Sequence, residues 1–145
     1  MLNTSEEATR LIGELQNAWI DGLRRYDYSW LETHLADDFL FSAQPFPAMR
    51  LGKRDFIEMD KKIKNPQIRF VSLQAEPLAG LILSRTVADV KEEFTADLGP
   101  GMPSTAELQR AVSGQRLVYA SAWRRSGTIW QCFDHHLVSV IAPTP

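Results

Sequence analysis

The feature that most constrains this chain is a change of hydrophobic period after "NPQ" at residues 65–67. Before that point apolar residues recur at helical spacing. Beyond it lie "IRFVSLQ", "LILSRTVADVKEEF", "RLVYASAWRR" and "TIWQCFDHHLVSVIA", runs rich in β-branched and aromatic residues and mostly parted by turn signals. Three helices followed by a sheet is an α+β arrangement.

In the first half, Ala8, Leu11, Ile12, Leu15, Ala18, Trp19, Gly22, Leu23 and Tyr26 predict one long amphipathic helix, with Thr4 and Glu7 as a capping box. Ser29 and Glu32 repeat that pattern, so "SWLETHLADDF" reads as a short helix. "GKRDFIEMDKKIK" reads as a third, with Phe56, Ile57 and Ile63 turned inward. In the second half, the Ser-Gly of "RRSGT" predicts a tight hairpin between the last two strands. Residues 95–114 interrupt the sheet with a small capped helix from Ser104 to Val112, and are either a lid or a long connection. The long first helix has nowhere better to bury its apolar face than the concave side of the sheet.

A chain of 145 residues, 44% hydrophobic and 23% charged, is sized for one domain spanning 1–145. A net charge of −2 leaves no electrostatic footprint for nucleic acid or an anionic membrane. The acidic N-terminal stretch and the lack of a long apolar run point to a cytoplasmic protein. A lone cysteine, Cys132, excludes an intrachain disulfide, and no cysteine pairing suggests zinc.

The long first helix with Trp19, "LETHLADDFLFSA", "GKRDFIE" and the hairpin "YASAWRRSGTIWQCFDHHLVS" together resemble the nuclear transport factor 2-like superfamily, in its SnoaL-like or ketosteroid-isomerase-like branch. The resemblance implies a cone-shaped, curved antiparallel sheet wrapped around the long N-terminal helix, also described as cystatin-like. It further implies an apolar cavity and, commonly, a homodimer. Isomerases, dehydratases, cyclases and non-catalytic association modules share this shape, so the shape alone selects no function. Ketosteroid isomerisation needs a carboxylate base, an oxyanion tyrosine and a protonated acid. Alignment on Ala36-Asp37-Asp38 puts Ala43 at the base, Trp19 at the tyrosine and Ser121 near the second acid, so the chain departs from that enzyme at each position.

"WQCFDHHLVSV" holds the most conspicuous polar residues. Strand alternation places Trp130, Cys132, Asp134, His136 and Val138 on one face, and Gln131, Phe133, His135, Leu137 and Ser139 on the other. His135 and His136 then point apart, and the only other histidine is His34, so no metal site is expected. Asp134 and His136 share a face, either as a dyad or as a polar pair outside the sheet. Resemblance to the association domain of calcium/calmodulin-dependent kinase implies that Phe133, His135 and Leu137 face the cavity, with Tyr119, Ser121 and Trp123 beside them, while Trp130 and His136 face outward.

His135 is then the catalytic candidate, as a general base; it is otherwise a ligand anchor or a satisfied core residue. Trp19, Tyr119, Ser121, Trp123 and Phe133 are the ligand-binding candidates, their aromatic members being either a wall for a flat ligand or core packing. Asp37 and Asp38 are expected to cap or stay solvated at a helix end, and Cys132 to be a small hydrophobe on the outer face. The expected partner is a small apolar or aromatic organic molecule. Two readings follow: a cofactor-free isomerase, dehydratase or cyclase, or a non-catalytic binding or association module.

Overall fold

The computed structural model describes residues 3–141. Ala142, expected in the last strand, and both ends of the expected 1–145 domain lie outside them. Helix α1 (Ser5–Arg24) starts where the capping box predicts: the Thr4 hydroxyl oxygen accepts the Glu7 N–H at 3.1 Å, and its O–H donates to Glu7 Oε1 at 3.0 Å. Ala8, Ile12, Gln16, Trp19 and Ile20 form its buried stripe. The helix closes through paired backbone bonds, Asp27 N–H to Gly22 C=O at 2.9 Å and Tyr26 N–H to Leu23 C=O at 3.2 Å, with Tyr26 left-handed at φ 56°. This folds the chain back so closely that a Cβ on Gly22 would lie 2.8 Å from the Asp27 carbonyl oxygen.

Helix α2 (Ser29–His34) is shorter than predicted, and strand β1 (Leu35–Ala43) takes up the rest of "LADDFLFSA". Two facts explain the difference. Asp27 Oδ1, rather than a Ser29–Glu32 box, receives the Ser29 N–H and O–H at 3.0 and 2.7 Å, while Glu32 pairs with Arg54. Phe39, Phe41 and Ala43 are buried at a spacing of two, which only a strand satisfies. Asp37 and Asp38 thereby sit within a strand instead of at a helix end, and Asp38 accepts from Arg124.

Strand β2 (Arg50–Gly52) and helix α3 (Lys53–Asp60) follow, then strands β3 (Ile63–Leu78) and β4 (Leu81–Phe94), helix α4 (Thr105–Val112), and strands β5 (Gln115–Ser126) and β6 (Ile129–Ile141). Ile63 therefore belongs to β3 and not to the third helix; the strand runs through "NPQ" with Asn65 at φ 52° and a register shift between Lys64 and Gln67. The Ser104 cap predicted for α4 is present, accepting the Glu107 N–H at 3.2 Å.

The sheet order is β2-β1-β6-β5-β4-β3, curved and unclosed, with β2 and β3 as its edges. Every neighbouring pair is antiparallel except β1 with β6, which is parallel. The expectation of a wholly antiparallel sheet is corrected at that one ladder. β1 and β6 are joined by most of the chain, so no hairpin dictates their relative direction. α1 lies along β3, where Thr9 Oγ1 both donates to the Ala75 C=O at 3.3 Å and accepts the Ala75 N–H at 3.0 Å. In the interior, Thr86 Oγ1 donates to Gln16 Oε1 at 3.0 Å. No helix among the described residues is long and apolar enough to cross a membrane.

Replacing a helical glycine by alanine ordinarily stabilises by about 0.8–1 kcal/mol. At Gly22 the backbone clash should reverse the sign. Gly22→Ala is expected to lower the unfolding free energy by roughly 1–3 kcal/mol in urea titrations.

Candidate functional site

Three sequence periods converge on one cavity. Along β4 the buried positions are Ile82, Ser84, Thr86, Ala88, Val90 and Glu92, a strict alternation that carries an acid onto the inner face. On α3 the buried positions are Phe56, Ile57 and Asp60, a helical spacing that does the same. With the stripe of α1 and one side of α4, these walls enclose about 130 Å³. That is comparable with apolar cavities of ~150 Å³ that accept benzene. Most of the lining is apolar, from Trp19, Phe41, Phe56 and Met59 round to Leu108 and Val112; the polar lining groups are Gln16, Thr86, Asp60, Glu92, Tyr119 and His135.

The α4 segment forms a wall tied to β4. Gln109 Nε2 donates to the Glu92 C=O at 2.7 Å, Gln109 Oε1 accepts the Phe94 N–H at 3.1 Å, and Ser113 Oγ accepts the Glu92 N–H at 3.2 Å. These bonds fix the backbone on both sides of Glu92.

Of the residues singled out from the sequence, Trp19, Tyr119 and His135 line the cavity. Tyr119 stacks on His135 with ring centroids 4.7 Å apart and planes 8° apart, while Trp19 lies 5.0 Å from the imidazole. Ser121 pairs with His135 across the β5–β6 ladder, and its Oγ is hydrogen-bonded to His135 Nδ1 at 2.7 Å, behind the cavity wall. Trp123 is fully buried, edge-on to Trp19 at 6.5 Å, with Nε1–H donating to Ser84 Oγ at 3.0 Å; it supports the wall and does not line it.

Phe133 is turned away, under the Arg124 guanidinium at 4.8 Å. The cause is a β-bulge: Trp123 pairs with Cys132 and Ala122 with Asp134, so Phe133 is an extra residue that shifts the alternation by one. Cys132 consequently faces the core, fully buried, with its thiol donating to the Asp134 C=O and its pKa raised by burial. Trp130 likewise packs against the core instead of facing outward. No Asp134–His136 dyad forms: Asp134 is exposed, and His136 Nδ1 shares a 2.6 Å hydrogen bond with Ser42 Oγ on β1.

Burial among aromatic rings, with a smaller contribution from His136, lowers the His135 pKa to about 3, so its imidazole is neutral at neutral pH and a weak base. Burial raises Glu92 to about 7. Asp60 is raised well above the usual carboxylate range, first by burial and then by the charge of Glu92. Burial, Glu92 and Asp60 together raise the Tyr119 hydroxyl, which stays protonated as a donor. Asp60 and Glu92 were the functional candidates that reading for conspicuous motifs missed, although the period-2 phase of β4 and the i, i+4 step from Phe56 already point them inward. Among the described residues no cluster of three or more His, Cys, Asp or Glu side chains is disposed to hold a metal.

No family model matches the sequence, and no curated protein does so significantly. Solved structures do match the fold. A nuclear transport factor 2-like protein from Cytophaga hutchinsonii superposes with TM-score 0.68 over 92% of this chain and 97% of its own, at 14% identity. An uncharacterised protein with a cystatin-like fold from Caulobacter vibrioides gives 0.69 over 94% and 92%, at 14% identity. This chain has the nuclear transport factor 2-like fold. A candidate dehydratase of that fold from Streptomyces avermitilis gives 0.67 over 94% and 99%, at 16% identity.

Within this nuclear transport factor 2-like cone, Glu92 and His135 make opposite contributions to pH dependence. Glu92 binds its proton more tightly folded than unfolded, so its contribution is fully present below about pH 4.5 and is lost as pH rises to about 7. His135, depressed from 6.5 to about 3, contributes stability present above 6.5 and lost as pH falls. Comparing a variant with wild type removes the histidine. The stability advantage of Glu92→Gln over wild type should grow between about pH 4.5 and 7 and then level off, reaching roughly 3 kcal/mol at most. Denaturant midpoints measured across that range check it.

Proposed function

We propose that the protein binds a small, largely apolar organic molecule in this cavity, oriented by the Asp60 and Glu92 carboxyls and the Tyr119 hydroxyl. The observation that carries the reading is a space of about 130 Å³, walled by aromatic and aliphatic side chains, into which two acids and a tyrosine project, with no lysine or arginine among the described residues of the lining. Pockets of this composition, apolar with a few convergent polar groups of perturbed pKa, are the usual form of small-molecule sites.

The same geometry favours cofactor-free proton transfer as the chemistry such a site would perform. Glu92 near 7 is matched to accept and return a proton at neutral pH, and the protonated Tyr119 supplies a hydrogen bond to a developing oxyanion. His135, the base expected from the sequence, is the weaker candidate because its charged form is disfavoured by the rings around it. The resemblance to the SnoaL-like, ketosteroid-isomerase-like branch and the likeness to a candidate dehydratase support an isomerase, dehydratase or cyclase class. A non-catalytic binding module is the other reading; hydrogen exchange at the carbon next to a carbonyl in a bound ketone, tested with wild type and Glu92→Gln, separates the two. A cytoplasmic homodimer belongs to the same proposal, and exposed Val71 and Leu83 on the sheet are apolar surface for such contact.

Val112 lies on the α4 wall. Val112→Phe is expected to fill the cavity and weaken binding of indole-sized neutral compounds by about tenfold or more, while costing about 1–3 kcal/mol of stability. Calorimetric titration alongside a denaturation curve measures both, and unchanged affinity in the folded variant would remove the cavity as the binding site.

A further inference from the structure

The electrostatics of the cavity are one-sided. Asp60 is 5% exposed, lines the cavity, and its Oδ2 has no hydrogen-bond partner among the described residues. It is also the last residue of α3, so the negative end of the helix dipole adds to its own charge. Glu92 lines the same cavity from β4. The lysines that follow Asp60 turn elsewhere: Lys61 Nζ pairs with Glu58 at 3.2 Å and lies over the Tyr28 ring at 5.9 Å, and Lys62 Nζ donates to the Asp97 C=O at 3.2 Å.

Buried polar atoms in folded proteins are almost always partnered, and a buried acid oxygen without a donor is the exception that calls for one. A neutral donor would satisfy the hydrogen bond without stabilising the ionised acids that burial disfavours. A cation does both, and it gains further from the electron-rich faces of the surrounding rings. A carboxylate or phosphate ligand would meet two acids and no lysine or arginine among the described residues of the lining.

We propose that the ligand of this cavity is a small lipophilic amine, its ammonium head held between Asp60 and Glu92 and its hydrocarbon part packed against Trp19, Phe56 and Tyr119. This rests on the small-molecule reading above and names its ligand class. An aryl group with a short alkyl arm suits both the size of the cavity and its aromatic walls.

The test compares three near-isosteric compounds, 2-phenylethylamine, 2-phenylethanol and 3-phenylpropanoate, by calorimetric titration of wild type, Asp60→Asn and Glu92→Gln. On wild type the amine should bind about tenfold or more tighter than the alcohol, and the carboxylate weakest. In each variant the ratio of amine affinity to alcohol affinity should fall towards one, with thermal stability equal to or above wild type. Equal binding of alcohol and amine to wild type would overturn the amine assignment and leave the small-molecule reading standing. An amine preference surviving both substitutions would place the ammonium elsewhere and overturn it too. Binding of none of the three compounds to folded wild type would overturn both readings. Should Asp60→Asn fail to fold, Glu92→Gln decides the same question.

Discussion

The structure depends on the burial of one stripe of α1 against the concave face of a curved sheet. Ala8, Ile12, Trp19 and Ile20 supply the apolar area, and two polar contacts set the position: Thr9 bridging to the Ala75 backbone, and Gln16 bonded to Thr86 in the interior. Apolar burial is strong but non-directional, whereas a buried hydrogen bond tolerates little displacement. The stripe thus drives the helix into the cone, and Gln16 and Thr86 decide how far along it Trp19 lands. Because Trp19 stands against Trp123, Phe56 and His135, the position of one helix sets the depth of the cavity floor.

The same burial that stabilises the cone raises the energy of the groups inside it. His135 is surrounded by Trp19, Phe41, Phe56 and Tyr119, so its charged form has no water and its ring serves as part of an aromatic wall anchored by Ser121. Asp60 and Glu92 are in the reverse position, acids whose neutral forms are favoured by burial although each still carries oxygens able to accept. Contrast with the exterior makes the point: Asp89, outside and bracketed by Arg69 and Arg116, is lowered to about 2, chiefly by its hydrogen bond from Arg116. Asp89 outside the cone has two cations; Asp60 and Glu92 inside it have none among the described residues of the lining.

How far the sequence could be read depended on the range of the interaction involved. Local signals were accurate: the Thr4 and Ser104 caps, the Gly127 turn between β5 and β6, and the helical phase of Trp19 rest on residues a few positions apart, whereas the inward facing of Tyr119 and His135 followed from resemblance to a known fold. The misreadings came from non-local partners. "LADDF" has helical caps nearby, but pairing of β1 with β6 made it a strand; "WQCFDHHLVSV" alternates regularly, but a bulge against β5 moved Phe133 out and Cys132 in. Asp60 and Glu92 were legible in phase and were passed over because an acid on a buried stripe looks like a solvated residue until the facing wall is known.

By itself, the sequence determined the α+β class, the long capped first helix and the set of apolar positions from which the cone is built, because hydrophobic period and capping act between residues close in the chain. Only the tertiary structure decided that one ladder is parallel, that the sheet stays open, and that acids from α3 and β4 meet across one apolar space. Those outcomes depend on register and on approach between segments distant in sequence, where a one-residue bulge reverses which side chains point inward.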